Sequence, residues 1–156
     1  MLTKDNYDVK IADFGFMIPL EGRERLGWLK SRVGTSSYMA PEILNLEDYS
    51  GKAVDIYSLG IILFIMRIGN MPMDAAKPSN PMFKFIRDNR ADRFWEAHIK
   101  HAGITDMSPE FIDLVNGMMH PDPDMRLDLA DIIVSPWMKG AIETKDGVIT
   151  EMHKRE

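Results

Sequence analysis

Apolar positions along these 156 residues fall into two patterns with different periods. Near the start, Val9 and Ile11 alternate with Lys10 and Ala12, as a half-buried strand would. Lys4-Asp5-Asn6 supplies turn chemistry ahead of it, and Met1-Leu2 fits the stub of a preceding strand. A short β-hairpin with one arm cut short is expected. From Pro19 to Met39 no clean period emerges. This segment holds Glu21, Arg23, Glu24, Arg25, Lys30 and Arg32 among Gly22, Gly27 and Gly34. A loop of that length inside a compact domain is usually functional or mobile.

Helical patterning takes over at Ala40-Pro41-Glu42, where proline suits a first helical turn because its missing N–H costs little there. Ser50 can cap a helix from about Lys52 to Arg67. Its apolar side chains occupy almost every face, which predicts burial on all sides. Gly60 inside it costs about 1 kcal/mol relative to alanine, so a close backbone contact is expected at that point. A short helix from Met82 to Asn89 follows a loop with Pro72, Pro78 and Pro81. Ser108-Pro109-Glu110 is a cap, a first-turn proline and an acid on the positive helix end. His120-Pro121-Asp122-Pro123 closes the helix it starts. Asp128 and Asp131 have the spacing of a capping box for a last helix that runs to Val134. The tail, residues 139–156, is mixed in charge and reads as mobile. The expected fold class is mainly α: a short β-hairpin, a long loop, then about five helices around a buried central helix.

Composition narrows the function classes. The chain is 45% hydrophobic and 28% charged, ordinary for one globular domain and too apolar for disorder. A formal charge of −5 argues against nucleic acid as a partner. Without cysteine there is no disulfide framework and no cysteine zinc site, which is compatible with an intracellular, cytoplasmic home. His98, His101, His120 and His153 lack zinc-ligand spacing, although the first two can share a helix face. The apolar run Ile56 to Met66 is too short for a membrane span.

Five motifs remain to be explained. In order, the chain reads DFG (Asp13 to Gly15), GTSSYMAPE (Gly34 to Glu42), DIYSLG (Asp55 to Gly60), DPDMR (Asp122 to Arg126) and SPW (Ser135 to Trp137). This series, over roughly residues 1–138, resembles the C-terminal lobe of a eukaryotic protein kinase. The GT…Y.APE form is similar to serine/threonine kinases. The SPW ending and the FWEAH stretch (94–98) are similar to the calcium/calmodulin-dependent group.

The resemblance implies roles that single residues could not establish. Asp13 would hold Mg²⁺ against the phosphates of ATP, because phosphoryl transfer depends on positioning and charge neutralisation. By itself it also fits a turn aspartate capping its own backbone. Phe14 would pack into the core, with Gly15 as the hinge beside it. Residues 13–42 would form the activation segment. Ser31, three residues before Gly34, matches a position that many kinases phosphorylate, with Arg23, Arg25, Lys30 and Arg32 as nearby counter-charges; the alternative is a solvated loop serine. Thr35 would bond a catalytic aspartate, and Tyr38 would wall the substrate site. Glu42, after Ala40 and Pro41, would form a buried ion pair with Arg126; the alternative is two surface charges. Asp55 would anchor the catalytic loop, and Tyr57 stands where tryptophan is common.

No catalytic residue is expected in this chain. Neither a Gly-rich loop, nor a strand lysine paired with a helix glutamate, nor an H-R-D motif occurs in residues 1–156. Met1 would fall just downstream of the catalytic loop. The expectations are therefore ATP and Mg²⁺ as family cofactors, held poorly by this chain alone, and no phosphate transfer without a partner. That partner would be the missing N-terminal kinase half, or a protein substrate. A non-catalytic half-kinase acting as an interaction module is the alternative.

Overall fold

Seven helices form among the residues that the computed structural model describes, which are 3, 7–19 and 28–155. The chain divides into two units, one spanning Ile18–Lys139 and the other combining Met1–Met17 with Gly140–Glu156.

The larger unit holds α1 (Pro41–Leu44), α2 (Gly51–Ile68), α3 (Pro81–Arg87), α4 (Ala91–Ala102), α5 (Pro109–Met118) and α6 (Leu129–Val134). Local chemistry explains several boundaries. The Asn80 side chain accepts from the N–H groups of Met82 and Phe83 at the start of α3. Ser108 Oγ accepts from the Phe111 N–H, and Pro109 opens α5. Asp128 and Asp131 each accept from the other's backbone N–H, completing the capping box of α6. Each such cap satisfies a donor that the first helical turn leaves without a partner.

Helix α2 is the hub, packing on α5 and α4. Val54, Ile56, Tyr57, Ile61, Phe64 and Ile68 are buried. Gly60 lets α5 approach closely: a Cβ there would lie 2.8 Å from Met119 Cγ and 3.0 Å from Met118 Cβ. The expectation of burial on every face is corrected on one side. Leu59, Ile62 and Met66 are 49%, 43% and 71% exposed. Their three- and four-residue spacing puts them on a single stripe that no described element covers.

Helix α4 has no counterpart among the expected elements. Its N-cap position is Arg90, which makes no side-chain cap. It nonetheless carries the aromatic core: Phe94, Trp95 and His98 lie 5.5, 5.3 and 4.9 Å from the Phe64 ring. Trp95 Nε1 donates to Asn116 Oδ1 at 2.8 Å. Trp137 of the SPW motif closes the cluster on Phe111, with ring centroids 5.6 Å apart.

The smaller unit departs further from expectation. The Lys4-Asp5-Asn6 turn and the Met1-Leu2 stub lie outside the described residues. The Thr3 N–H donates to the Asp8 carbonyl at 2.9 Å and the Tyr7 N–H to the Thr3 carbonyl at 3.0 Å. Yet Val9 and Ile11 are 78% and 84% exposed, where a half-buried strand was expected. The unit has no core to bury them: none of its described side chains is buried. Residues 145–153, within the expected mobile tail, form α7 (Lys145–His153), capped by Thr144. Lys145 Nζ lies 3.2 Å from Asp8, and the His153 ring stands edge-on to Tyr7.

Candidate functional site

Asp13, Phe14 and Gly15 occupy a tight turn. Asp13 has a φ of 66°, a left-handed conformation that aspartate tolerates better than most residues. The Gly15 N–H points at Asp13 Oδ1 at 3.4 Å, and the Met17 N–H donates to the Phe14 carbonyl at 3.1 Å. The turn-aspartate geometry is therefore present. Phe14 is 62% exposed, which corrects the expectation of core packing; none of the described side chains of its unit is buried.

Asp13 is an exposed carboxylate of the right hardness for Mg²⁺, an ion that takes one or two carboxylates plus phosphate oxygens and water. Among the described residues no group of three acids or histidines converges on a point. His98 Nε2 lies 3.0 Å from the Pro72 carbonyl, and burial lowers its pKa.

The second constellation is built from α1, α2 and the loop before α6. Glu42 and Arg126, 84 residues apart, meet in a two-pronged pair of 2.7 and 3.0 Å. Their side chains are 3% and 1% exposed. Arg126 also donates to the carbonyls of Ala53 at 2.9 Å and His120 at 3.0 Å. Such multiple hydrogen bonding lets a desolvated pair hold its charge. Its guanidinium lies 5.0 Å from the Tyr57 ring centroid, within cation–π range. Ala40 and Pro41 are buried around Glu42, so all of α1 is interior.

Tyr57 carries a feature that the sequence alone did not reveal. Its hydroxyl is buried without a hydrogen-bond partner among the described residues. Burial raises its pKa far above the ordinary phenol value. Replacing tryptophan by tyrosine moves the polar atom from ring edge to ring tip, and no motif comparison shows whether a partner waits there. Asp55 lies one turn into α2, and partial burial of its carboxylate raises its pKa.

Gly34 has a φ of 107°, a conformation that side chains rarely adopt, and it starts the GTSSYMAPE loop. Thr35 is exposed and its carbonyl accepts from the Tyr38 N–H at 3.0 Å. The Tyr38 carbonyl accepts from Ser58 Oγ at 3.0 Å, tying the loop to α2.

Ser31 lies in a short clasp within the segment that shows no clean period. Leu29 and Tyr49 form an isolated antiparallel bridge. Tyr49 Oη donates to the Ser31 carbonyl at 2.6 Å and lies 3.2 Å from Ser31 Oγ. Of the expected counter-charges, Arg23 and Arg25 lie outside the described residues. Lys30 is engaged with Asp48 at 3.4 Å in an exposed pair. Leu29, beside Trp28 in the loop, and Tyr49 after α1 form this clasp without a local pattern that pairs them.

Comparison with known proteins covers nearly the whole chain. The family model described as protein kinase domain matches residues 1–138. CBL-interacting serine/threonine-protein kinase 10 of Arabidopsis thaliana is 30% identical over 99% of this chain and 29% of its own length. CBL-interacting protein kinase 29 of Oryza sativa subsp. japonica is 32% identical over 89% of this chain and 28% of its own. Serine/threonine-protein kinase chk1 of Schizosaccharomyces pombe is 32% identical over 94% of this chain and 28% of its own. The chain thus spans less than a third of the length of these curated relatives.

Proposed function

The chain belongs to the protein kinase domain family, and from that premise we propose that it is part of a serine/threonine kinase. The full enzyme would transfer the γ-phosphate of ATP to serine or threonine of a protein. Residues 1–138 would be the C-lobe share of the domain, with 139–156 outside it. The observation that carries the reading is the buried Glu42–Arg126 pair. It joins the end of the GTSSYMAPE segment to the DPDMR segment and fixes where the substrate-docking loop is anchored.

The chain's own residues position and do not react. Gly34 turns the loop, the Thr35–Tyr38 turn shapes it, and Ser58 ties it to α2. Glu42 and Arg126 make that anchor rigid. Asp13 is the residue that would meet Mg²⁺ when nucleotide is bound, and the metal would then offset phosphate charge. Asp55 would accept hydrogen bonds from a catalytic loop that residues 1–156 do not contain. By itself this polypeptide transfers no phosphate. An enzyme that consumes ATP acts where ATP is held, so an intracellular, cytoplasmic setting accompanies the reading.

A second reading, a non-catalytic half-kinase that binds a protein, is favoured by the bare Leu59–Ile62–Met66 stripe. Sequencing the transcript upstream of the Met1 codon separates the two. An in-frame stretch encoding H-R-D-x-x-x-x-N supports the enzyme. A transcript starting at Met1, with a stable partner complex, supports the module and overturns the first reading.

A further inference from the structure

One hydrogen bond of His98 joins α4 to the loop between α2 and α3. Its Nε2 lies 3.0 Å from the Pro72 carbonyl. A carbonyl oxygen can only accept, so the proton of that bond sits on Nε2. In the neutral ring Nδ1 then carries the lone pair, and no hydrogen-bond partner meets it among the described residues. The Phe64 ring of α2 stands nearly perpendicular to the imidazole, with centroids 4.9 Å apart, and the Phe94 ring lies 4.6 Å away. Pro72 is fully buried, and Met73 and Ala76 after it are buried too. The bond therefore fastens a stretch of loop that is itself core.

A proton on Nδ1 upsets this arrangement. The new N–H needs an acceptor, and Phe64 and Phe94 carry no oxygen or nitrogen on their side chains to supply one. The charge is also partly removed from water, since the ring is half-buried. Charged groups on the surrounding elements do not offset that cost. On α4 itself, the field of His101 works against a second positive charge. On α2, Arg67 donates to Asp106. On α3, Arg87 is paired with Asp88 and Lys84 is exposed, as is Asp74 on the loop. Burial first, and His101 after it, outweigh the bond to Pro72 and hold His98 below its ordinary value of 6.5.

We propose that His98 is a proton-controlled pin: the neutral imidazole locks the α2–α3 loop onto α4, and protonation of Nδ1 turns the ring toward water and frees the loop. The Pro72 carbonyl then loses its donor in a buried place, so the loop opens until water reaches it. Loosening passes to the start of α3, because the same loop ends at Asn80, the cap of that helix. The folded chain holds this proton less tightly than the unfolded one. The stability that the pin supplies is thus complete above 6.5 and is lost as pH falls.

Nuclear magnetic resonance of the 156-residue chain between about pH 8 and about pH 5, the window in which histidine changes charge, tests this. The His98 ring should titrate with a midpoint below 6.5. The Met73 N–H shares a peptide plane with the Pro72 carbonyl, so its chemical shift should move with that same midpoint. His98→Gln keeps a side-chain N–H donor and takes up no proton, and there the Met73 signal should stay still. His98→Phe keeps a ring and loses the donor, so Met73 should show the freed position at every pH. The Ile61 amide reports whether each variant is folded. A His98 midpoint at or above 6.5 overturns the pin, as does a Met73 signal that ignores the His98 titration. Movement of Met73 that survives in His98→Gln and vanishes in His101→Gln assigns the response to His101 and overturns it as well.

Discussion

Replacing Arg126 with methionine strands the Glu42 carboxylate in a site that is 3% exposed. A buried charge left alone in this way typically costs about 3–5 kcal/mol. Urea denaturation of Arg126→Met should show a loss of that size, and a loss under about 1 kcal/mol would mean that the pair is not desolvated. Asp55 has the opposite sign. Its folded pKa is raised by partial burial above the ordinary 3.8, so the folded state holds this proton more tightly than the unfolded one. Its charge therefore lowers stability as pH rises above 3.8. Asp55→Asn should raise the melting temperature at neutral pH, with the gain fading at pH values below 3.8. A gain that persists unchanged at low pH would assign the effect to something other than ionisation. The Glu42–Arg126 pair was legible because each partner sits in a motif whose spacing carries information. The Tyr49 clasp was not, because a hydrogen-bond partner contributed by a distant loop leaves no local pattern, and the unpartnered Tyr57 hydroxyl was not, because burial of one ring tip is set by packing that the sequence does not display.

At the scale of elements, helix starts were legible where a side chain caps them. Ser108 and the Asp128–Asp131 box mark α5 and α6 in the sequence and cap them in the structure. Helix α4 lacks such a mark, because Arg90 at its N-cap makes no cap bond and its stability comes from burying Phe94 and Trp95. Its signals lie elsewhere: Phe94, Trp95, His98, Ile99 and Ala102 recur at helical spacing, and Gly103 ends the helix in a left-handed C-cap. The strand expected at Val9 and Ile11 failed for the converse reason: alternation is a request for a core, and none of the described side chains of its unit is buried. Gly60 gives a direct test of packing against propensity. Alanine should gain about 1 kcal/mol from helix propensity but lose about 1–3 kcal/mol by overpacking, since its Cβ would fall 2.8 Å from Met119. Thermal unfolding of Gly60→Ala should therefore show net destabilisation. A stabilised variant would mean that α2 and α5 are not in close contact.

For the molecule as a whole, the balance is narrow. Full burial of a large apolar side chain is worth roughly 1.5–3 kcal/mol, and Leu59, Ile62 and Met66, 49%, 43% and 71% exposed, each forgo about half or more of that, against a net domain stability of about 5–15 kcal/mol. The isolated chain should melt at low temperature and associate on size-exclusion chromatography, and exchanging the three residues for glutamine or lysine should reduce association. A cooperative, high-melting monomer would contradict this. The motif order made the family legible, while the missing chemistry was legible only as motifs that do not occur. The decisive measurement is transfer of labelled γ-phosphate from ATP with Mg²⁺ to a serine-containing protein. It compares the purified chain alone with the chain mixed with a polypeptide carrying a Gly-rich loop and H-R-D-x-x-x-x-N. The account predicts no transfer by the chain alone, and transfer in the mixture that Asp13→Asn abolishes. Turnover by the chain alone, or turnover in the mixture that is indifferent to Asp13, would contradict it.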